Sequence, residues 1–389
     1  MSENNENKEP LNKNNKVPKL RFKEFKDTSL KLTNLSKESI INPRNVVPNS
    51  FNYIDLESVK NNKIIKFELI NKTNAPSRAQ RVISKDDILF SCVRPYQHNN
   101  TILSISGIFV ASTGFAQIKY TEPYFLLPYF SNSRFSRDVN IRSTGSNYPA
   151  INSYDLSKIK LYLPSTQEQE KIGMFFKTLN FKIQILNDKI SILKKYKEGM
   201  VKVHSRTCIK KALRDILSEE NLKTKVNNQY EILSSTANGL FSQKEYFNHQ
   251  VASENNIGYK IIKRGQLLFS PQNLWLGNIN LNKEFEVGIV SPSYKIYNID
   301  NSVNSTWLIS TLKSPKLLYT YKLVSEQGAS VVRRNLDLNQ FLNITIDVPS
   351  NNEQIGNAIS NLESKIDMLT SQLKTLEKMK VNLLNSMFI

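Results

Sequence analysis

Arginine, amide and aromatic side chains gather in short segments that follow predicted strands in the first half of the chain. The candidates are Arg78, Arg81, Arg94, Tyr96, Gln97 and Asn99. In the major groove of DNA, guanidinium forks bond the edge of guanine, and amides bond the edge of adenine. These residue types therefore favour DNA recognition. The alternative is that each is an ordinary solvated loop side chain.

A later loop carries small hydrogen-bond donors that can approach phosphates closely. Its candidates are Ser143, Thr144, Ser146 and Tyr148. The second half of the chain has its own set of amide, arginine and aromatic candidates, namely Gln272, Asn273, Trp275, Gln327, Ser330, Arg333 and Arg334. The two sets occupy equivalent places but differ in sequence, which is the pattern expected of two copies that recognise different DNA sequences.

Catalytic patterns are missing from the sequence. It has neither a G-x-x-x-x-G-K-[ST] phosphate loop nor a G-x-G-x-x-G turn after a strand. The three histidines are scattered, so we predict no metal site and no catalytic or cofactor-binding residue.

The net charge of +19 favours nucleic acid as a partner. A coding bias toward lysine and asparagine is the alternative explanation. No apolar run of about 18 residues exists, so we expect no membrane span. With only two cysteines, a disulfide scaffold is excluded, and a cytoplasmic location is expected.

Two long helical patterns repeat each other, and both follow a Pro-Ser pair and a Glu-Gln pair. Their apolar residues alternate at heptad spacing, which predicts a coiled-coil seam. The seam residues are Ile172, Phe176, Leu179, Ile183, Leu186, Ile190, Leu193, Ile355, Ile359, Leu362, Ile366, Leu369, Leu373 and Leu376. Lys197 and Lys380 interrupt the two seams at equivalent positions. The alternative is a long helix packed on its own domain.

The regions before the helices also echo each other. The stretch 83–91 matches 262–270, Gly107 is matched with Gly288, and the stretch 154–164 is matched with 336–349. We predict one strand over 64–70 and a helix over 123–135. Ser165 or Thr166 is the expected N-cap of the first long helix. The second long helix lacks two residues after its Glu-Gln pair, so the first turns of the two helices are not expected to superpose.

These patterns predict an α+β fold with a pseudo-twofold internal repeat, in which two similar globular regions are joined by two long antiparallel coiled-coil helices. The predicted boundaries are a disordered leader over 1–16, globular regions over 17–162 and 209–347, a central helix over 163–208 and a distal helix over 348–389.

The chain resembles the specificity subunits of type I restriction–modification enzymes. The resemblance rests on the opening Val17–Phe22, on the stretch 87–96, and on the starts of the two long helices near Pro164 and Pro349. The family often has a tryptophan soon after the opening, whereas Asp27-Thr28-Ser29-Leu30 stands there in this chain.

This resemblance implies that each globular region is a target-recognition domain and that the two bind the halves of a split, asymmetric double-stranded DNA target. It also implies two methyltransferase subunits and motor–nuclease subunits as partners. S-adenosylmethionine, ATP and Mg would then be bound by those partners, and this chain would be non-catalytic. Two other hypotheses are a coiled-coil scaffold that binds proteins and a stand-alone DNA-binding regulator.

Overall fold

The computed structural model describes residues 17–202, 207–246, 255–328 and 333–389, without the side chains of residues 245 and 246. The predicted leader and Ser330 lie outside the described residues. The chain divides into two compact units, which are described separately. Unit 1 comprises residues 1–187 and 372–389, and unit 2 comprises residues 188–371. Each long helix therefore contributes one part to each unit, whereas the predicted boundaries separate the helices from the globular regions.

The helices are α1 (Leu35–Glu38), α2 (Pro123–Tyr129), α3 (Ser133–Arg142), α4 (Ser153–Ser157), α5 (Thr166–Lys202), α6 (Gln243–Tyr246), α7 (Ser305–Leu312), α8 (Pro315–Leu323), α9 (Leu338–Asn343) and α10 (Asn352–Met387). The strands of unit 1 are β1 (Lys31–Asn34), β2 (Ile40–Ile41), β3 (Ser50–Ile54), β4 (Val59–Lys60), β5 (Lys63–Ile64), β6 (Glu68–Asn71), β7 (Ala79–Ile83), β8 (Ile88–Ser91), β9 (Thr101–Ile102), β10 (Phe109–Ser112), β11 (Phe115–Lys119) and β12 (Lys160–Leu163). The strands of unit 2 are β13 (Cys208–Ala212), β14 (Leu217–Glu220), β15 (Leu233–Thr236), β16 (Gly239–Ser242), β17 (Lys260–Lys263), β18 (Leu267–Phe269), β19 (Ile279–Leu281), β20 (Val287–Val290), β21 (Lys295–Ile299), β22 (Ser325–Gln327), β23 (Arg334–Leu336) and β24 (Thr345–Pro349).

The central strand of unit 1 is β8, and all four of its residues are buried. Successive side chains of a strand point to opposite faces. Ile88 and Phe90 accordingly pack in the core that holds α2 and α3, and Leu89 packs in a second core on the other face. The sheet around β8 has the order β2-β11-β8-β9, and another sheet has the order β6-β3-β10-β7.

Unit 2 repeats this architecture. Its central strand β18 lies in a sheet of order β14-β21-β18-β19, which matches the sheet of unit 1 strand for strand. Leu267 and Phe269 pack in one core, and Leu268 packs in the other. The second sheet also has a counterpart, because β17 pairs with β20 and a parallel bridge joins Ile232 to Ile289. The sequence echo between 83–91 and 262–270 thus marks equivalent strands.

The first and last strands of each globular region pair with each other. Strand β1 is antiparallel to β12, and β13 is antiparallel to β24. A backbone hydrogen bond extends each pair, from Leu35 N to Ile159 O at 3.0 Å and from Leu213 N to Ile344 O at 2.9 Å. In each region the first strand therefore pairs with the strand that directly precedes the long helix.

The register corrects two of the predicted correspondences. Ile83 lies opposite Phe109, and Ile262 lies opposite Gly288. Gly288 therefore corresponds to Phe109 and not to Gly107. A side chain at Gly288 would collide with Leu233, so packing requires the glycine.

The match between 154–164 and 336–349 is also shifted. The N-caps of α4 and α9 are Asn152 and Asp337, and each accepts a backbone N–H in the first turn of its helix. They lie at the same distance in sequence from Pro164 and Pro349, so Asp337 corresponds to Asn152 rather than to Asp155.

Two predicted elements are wrong in extent. The predicted helix over 123–135 is two helices. The first, α2, ends at Tyr129, and Asn132 accepts a 2.8 Å hydrogen bond from Phe135 N to cap the second, α3. The predicted strand over 64–70 is interrupted after Ile64, where β5 ends, and resumes as β6 at Glu68.

The first turns of the two long helices differ as expected. Ser165 Oγ accepts from Glu168 N at 3.4 Å at the start of α5. The Gln169 amide donates to Pro164 O at 2.9 Å, and the Asn352 amide donates to Pro349 O at 3.0 Å. Asn352, not Gln354, therefore takes the place of Gln169.

The long helices pair antiparallel within each unit. In unit 1, Phe176 of α5 stacks on Phe388 beyond the end of α10, with ring centroids 5.7 Å apart. In unit 2, Lys197 of α5 donates to Glu363 of α10 at 3.0 Å. Each of the predicted seam residues is buried or half-buried.

The opening segment of unit 1 packs on both long helices. Arg21 forms a bidentate ion pair with Glu168 of α5, with Nε to Oε1 at 2.9 Å, and both side chains are almost fully buried. Leu20 N donates to Ser386 O of α10 at 2.9 Å. The opening motif is thus a structural clamp on the start of α5 and the end of α10. Across the described part of the chain, no helix is both long and apolar enough to cross a membrane.

Candidate nucleic-acid interface

In unit 1, the loop after β8 and the loop after α3 lie against each other. Arg94 N donates to Pro149 O at 2.7 Å, and Ile151 N donates to Cys92 O at 2.9 Å. The guanidinium carbon of Arg94 lies 4.2 Å from the centre of the Tyr148 ring. The structure therefore brings together two candidate loops that are about fifty residues apart in sequence.

The loop over 143–150 is a tight turn that presents its small polar residues to solvent. Thr144 and Ala150 exchange two backbone hydrogen bonds of 2.9 Å. Gly145 has a φ of +96°, which favours glycine, and a Cβ there would crowd Tyr148 O at 3.0 Å. Thr144, Ser146 and Tyr148 are exposed, whereas Ser143 is half-buried and donates to Val139 O at 2.9 Å. Ser143 therefore helps to end α3.

The turn Pro95–Gln97 holds Tyr96 and Gln97 at the surface. Asn99 is half-buried, and its amide donates to Gln97 Oε1 at 3.4 Å. Two residues that sequence reasoning missed support this turn. The Asn100 amide oxygen accepts from Ser91 N at 2.8 Å, and the Asn62 amide donates to Asn100 O at 2.7 Å.

Arg78 directly precedes β7, and Arg81 lies within that strand. Arg78 is exposed, and its carbonyl accepts from Thr113 N at 2.8 Å. Arg81 is half-buried beside Cys92, and burial lowers the pKa of its guanidinium. Burial also raises the pKa of the Cys92 thiol to about 11, so this buried cysteine is uncharged at pH 7. Burial lowers the pKa of His98, so this residue adds no positive charge at neutral pH.

Unit 2 joins its equivalent loops in the same way. Arg334 N donates to Gln272 O at 3.1 Å, and the ammonium of Lys322 lies 6.0 Å from the centre of the Trp275 ring. Gln272 is exposed, whereas Asn273 and Trp275 are half-buried. The candidates after β18 and those on the β22–β23 hairpin therefore form one surface.

The two arginines of this hairpin have different surroundings. The Arg334 guanidinium donates to Ser325 Oγ at 2.8 Å and to Lys322 O at 3.1 Å, so it holds the hairpin. Arg333 is exposed, and its carbonyl accepts from Gly328 N at 3.0 Å. Gln327 is also exposed. For Arg334 we therefore assign a positioning role, and the remaining DNA-contact assignments stay predictions.

The described residues contain no cluster of three or more His, Cys, Asp or Glu side chains that could hold a metal ion. The surface built by these loops consists of guanidinium, amide, hydroxyl and aromatic groups. Such groups bind by hydrogen bonding and stacking.

We compared the sequence and the fold of this chain with those of known proteins. No family model matches the chain. The specificity subunit of the type I restriction enzyme HindI from Haemophilus influenzae is 29% identical over 150 residues, which are 36% of this chain. The match spans about a third (32%) of that relative's length.

Two solved structures share the fold over nearly the whole chain. The S subunit of a type I restriction–modification system from M. genitalium has a TM-score of 0.59 at 12% identity, over 96% of this chain and 99% of that one. A chain from a study of complex assembly in the type I R-M system has a TM-score of 0.53 at 15% identity, over 92% and 96%. These two likenesses show the fold and confirm the predicted architecture. The chain is thus similar to the HindI specificity subunit in sequence over 150 residues, and similar in fold to these two type I restriction–modification structures over nearly its whole length.

Proposed function

We propose that this chain is the DNA-binding specificity subunit of a type I restriction–modification complex. The observation that supports it best is the pair of globular regions with the same sheet order, whose equivalent loops carry different side chains. One fold used twice with different loops suits a split, asymmetric DNA target. Affinity would come mostly from lysine and arginine contacts to phosphates, and sequence choice from the loops.

The chemistry would be done by partner subunits. Two methyltransferase subunits would supply adenine methylation with S-adenosylmethionine, and motor–nuclease subunits would cleave DNA with ATP and Mg. This chain would direct both activities to the target in the cytoplasm, without being an enzyme itself. The paired long helices would set the number of unread base pairs between the two half-sites.

The outer face of α5 is a candidate docking surface for the methyltransferase subunits. Besides the buried seam, this helix carries a second apolar stripe at alternating spacings of seven and four residues. Its exposed members are Met174, Phe181, Ile185, Ile192 and Tyr196. This eleven-residue repeat is typical of a helix that packs against a partner helix.

Co-purification with a tagged copy of this chain tests the proposal. We expect a methyltransferase subunit to remain bound to it and the complex to bind a bipartite sequence. Tight specific DNA binding by the isolated chain alone would instead favour a stand-alone regulator. An absence of DNA binding even with its partners would favour a protein scaffold.

A further inference from the structure

The two globular regions differ in the chemistry of their loops, and this difference points to the bases they recognise. Resting on the proposed function, we infer that Arg94 recognises a guanine in the half-site bound by unit 1, whereas unit 2 recognises its half-site through the amides of Gln272 and Asn273. Arg94 is then a specificity-determining residue for one half-site only.

The first step concerns the partners of Arg94. Its Nε is buried and has no hydrogen-bond partner among the residues that the structure describes, and the same is true of Arg81. In those residues the arginines that pair with carboxylates are Arg21 and Arg264. A buried guanidinium N–H without an acceptor costs free energy unless a ligand supplies one. Arg94 is therefore not committed to a carboxylate, or to an acceptor at its Nε, within the described residues.

The second step concerns the orientation of the Arg94 side chain. Its backbone N–H is held by the hydrogen bond to Pro149 O, and its guanidinium carbon lies over the Tyr148 ring, 4.2 Å from the ring centre. A fork held at both ends loses little entropy when it binds. Guanine presents two acceptors, O6 and N7, in one plane in the major groove, which fits such a fork.

The third step is the contrast with unit 2. The arginine nearest the equivalent loop, Arg334, is held by Ser325 and Lys322 O. On the loop after β18, the available amides are the exposed one of Gln272 and that of Asn273, whose Oδ1 is buried without a partner among the described residues. Amides pair with the N6 and N7 edge of adenine.

The test measures DNA binding by the complex of this chain with its methyltransferase subunits. The DNA is a set of duplexes that carry the sequence which the complex methylates. Replacing one guanine of one half-site by 7-deazaguanine removes N7 and leaves base pairing intact. For wild type we expect about fivefold weaker binding or more at one such guanine. The Arg94→Gln complex should bind the normal duplex about tenfold more weakly and should show no further loss with 7-deazaguanine.

Two controls separate the explanations. Inosine keeps N7 and O6 and should bind wild type as guanine does. The Gln272→Ala complex should keep the full 7-deazaguanine penalty, because it acts on the other half-site. An equal loss in wild-type and Arg94→Gln complexes at every guanine would overturn the inference. The inference would also be overturned if Arg94→Gln weakened DNA binding equally for all sequences and reduced the salt dependence of affinity, the slope of log K against log salt concentration, by about 1. That pattern marks a phosphate contact.

Failure of the proposed function would be visible separately. A wild-type complex that neither methylates nor binds any bipartite sequence would overturn the proposed function together with this inference. A bipartite target whose binding is indifferent to 7-deazaguanine would overturn the inference alone.

Discussion

Arg21 and Glu168 form the most deeply buried ion pair among the described residues, with 4% and 2% of their side chains exposed. Removing one partner leaves the other charge buried and unpaired. We expect Arg21→Ala to lower the free energy of unfolding by about 3–5 kcal/mol. Denaturant titration followed by circular dichroism measures this change.

The matched control is Lys171→Ala. Lys171 pairs with Glu24 in the same part of unit 1, but both side chains are about half exposed. Solvent screens such a pair, so the loss should be far smaller. Equal losses in the two variants would contradict the clamp that we assign to Arg21.

Lys313 predicts a pH dependence of stability. Burial, with Lys197 nearby, lowers the pKa of Lys313 to about 8 from its ordinary 10.5. Between these values the unfolded chain binds more protons than the folded chain, so this lysine makes stability rise with pH. Lys313→Met should remove that rise. The difference in unfolding free energy between wild type and variant should therefore be constant below pH 8 and shift in favour of wild type as pH approaches 10.5. A difference that does not change with pH would contradict the assignment.

At the scale of elements, the seam lysines have unequal surroundings. Lys197 and Lys283 both donate to Glu363, at 3.0 and 2.8 Å, and this network joins α5, α10 and the β19–β20 turn. By the internal repeat, Lys380 corresponds to Lys197, and Asn180 stands where unit 2 has Glu363. Burial lowers the pKa of Lys380. Unit 1 thus keeps the lysine and has an amide in place of the carboxylate.

Asn180→Glu should supply the missing carboxylate. We expect the variant to raise the free energy of unfolding by about 0.5 kcal/mol, the range of a partly exposed pair. Thermal unfolding of Asn180→Glu beside Asn180→Gln measures this effect at constant side-chain length. A midpoint that is the same for both variants would show that Lys380 does not face position 180.

The elements that sequence predicted best are those set by long periodic patterns. The heptads of Ile172 and Ile359 extend over many turns, and both residues lie in long helices, α5 and α10, as predicted. Short-range competition was harder to predict, as in Asn132 capping α3 inside one predicted helix. The role of Asn352 was missed because it depends on which amide reaches the preceding proline carbonyl.

For the candidate site, the sequence indicated residue types but not their contacts. Sequence identified Arg94 and Tyr148 separately, whereas their cation–π contact and the neighbouring hydrogen bond from Arg94 N to Pro149 O exist only in the folded chain. Arg334 appeared equivalent to the other arginines, and its internal partners are visible only in the folded hairpin. Local patterns carry residue types, and tertiary contacts decide which of them remain available to a ligand.

At the scale of the whole molecule, two regions of one topology with different loops should act independently. We expect Arg94→Gln to relax methylation specificity in one half-site and Gln272→Ala to relax it in the other, with unchanged thermal unfolding. Methylome sequencing of cells carrying each variant checks this. Relaxation of the same half-site by both variants would contradict the assignment of one region to each half.

The central claim is that this chain selects the DNA sequence that a partner methylates. The most direct measurement is a map of methylated adenines across the host genome, with and without this chain. We predict a split, asymmetric methylated motif that disappears when the chain is deleted and returns when it is restored. A methylation map that is identical in the two strains would contradict the account.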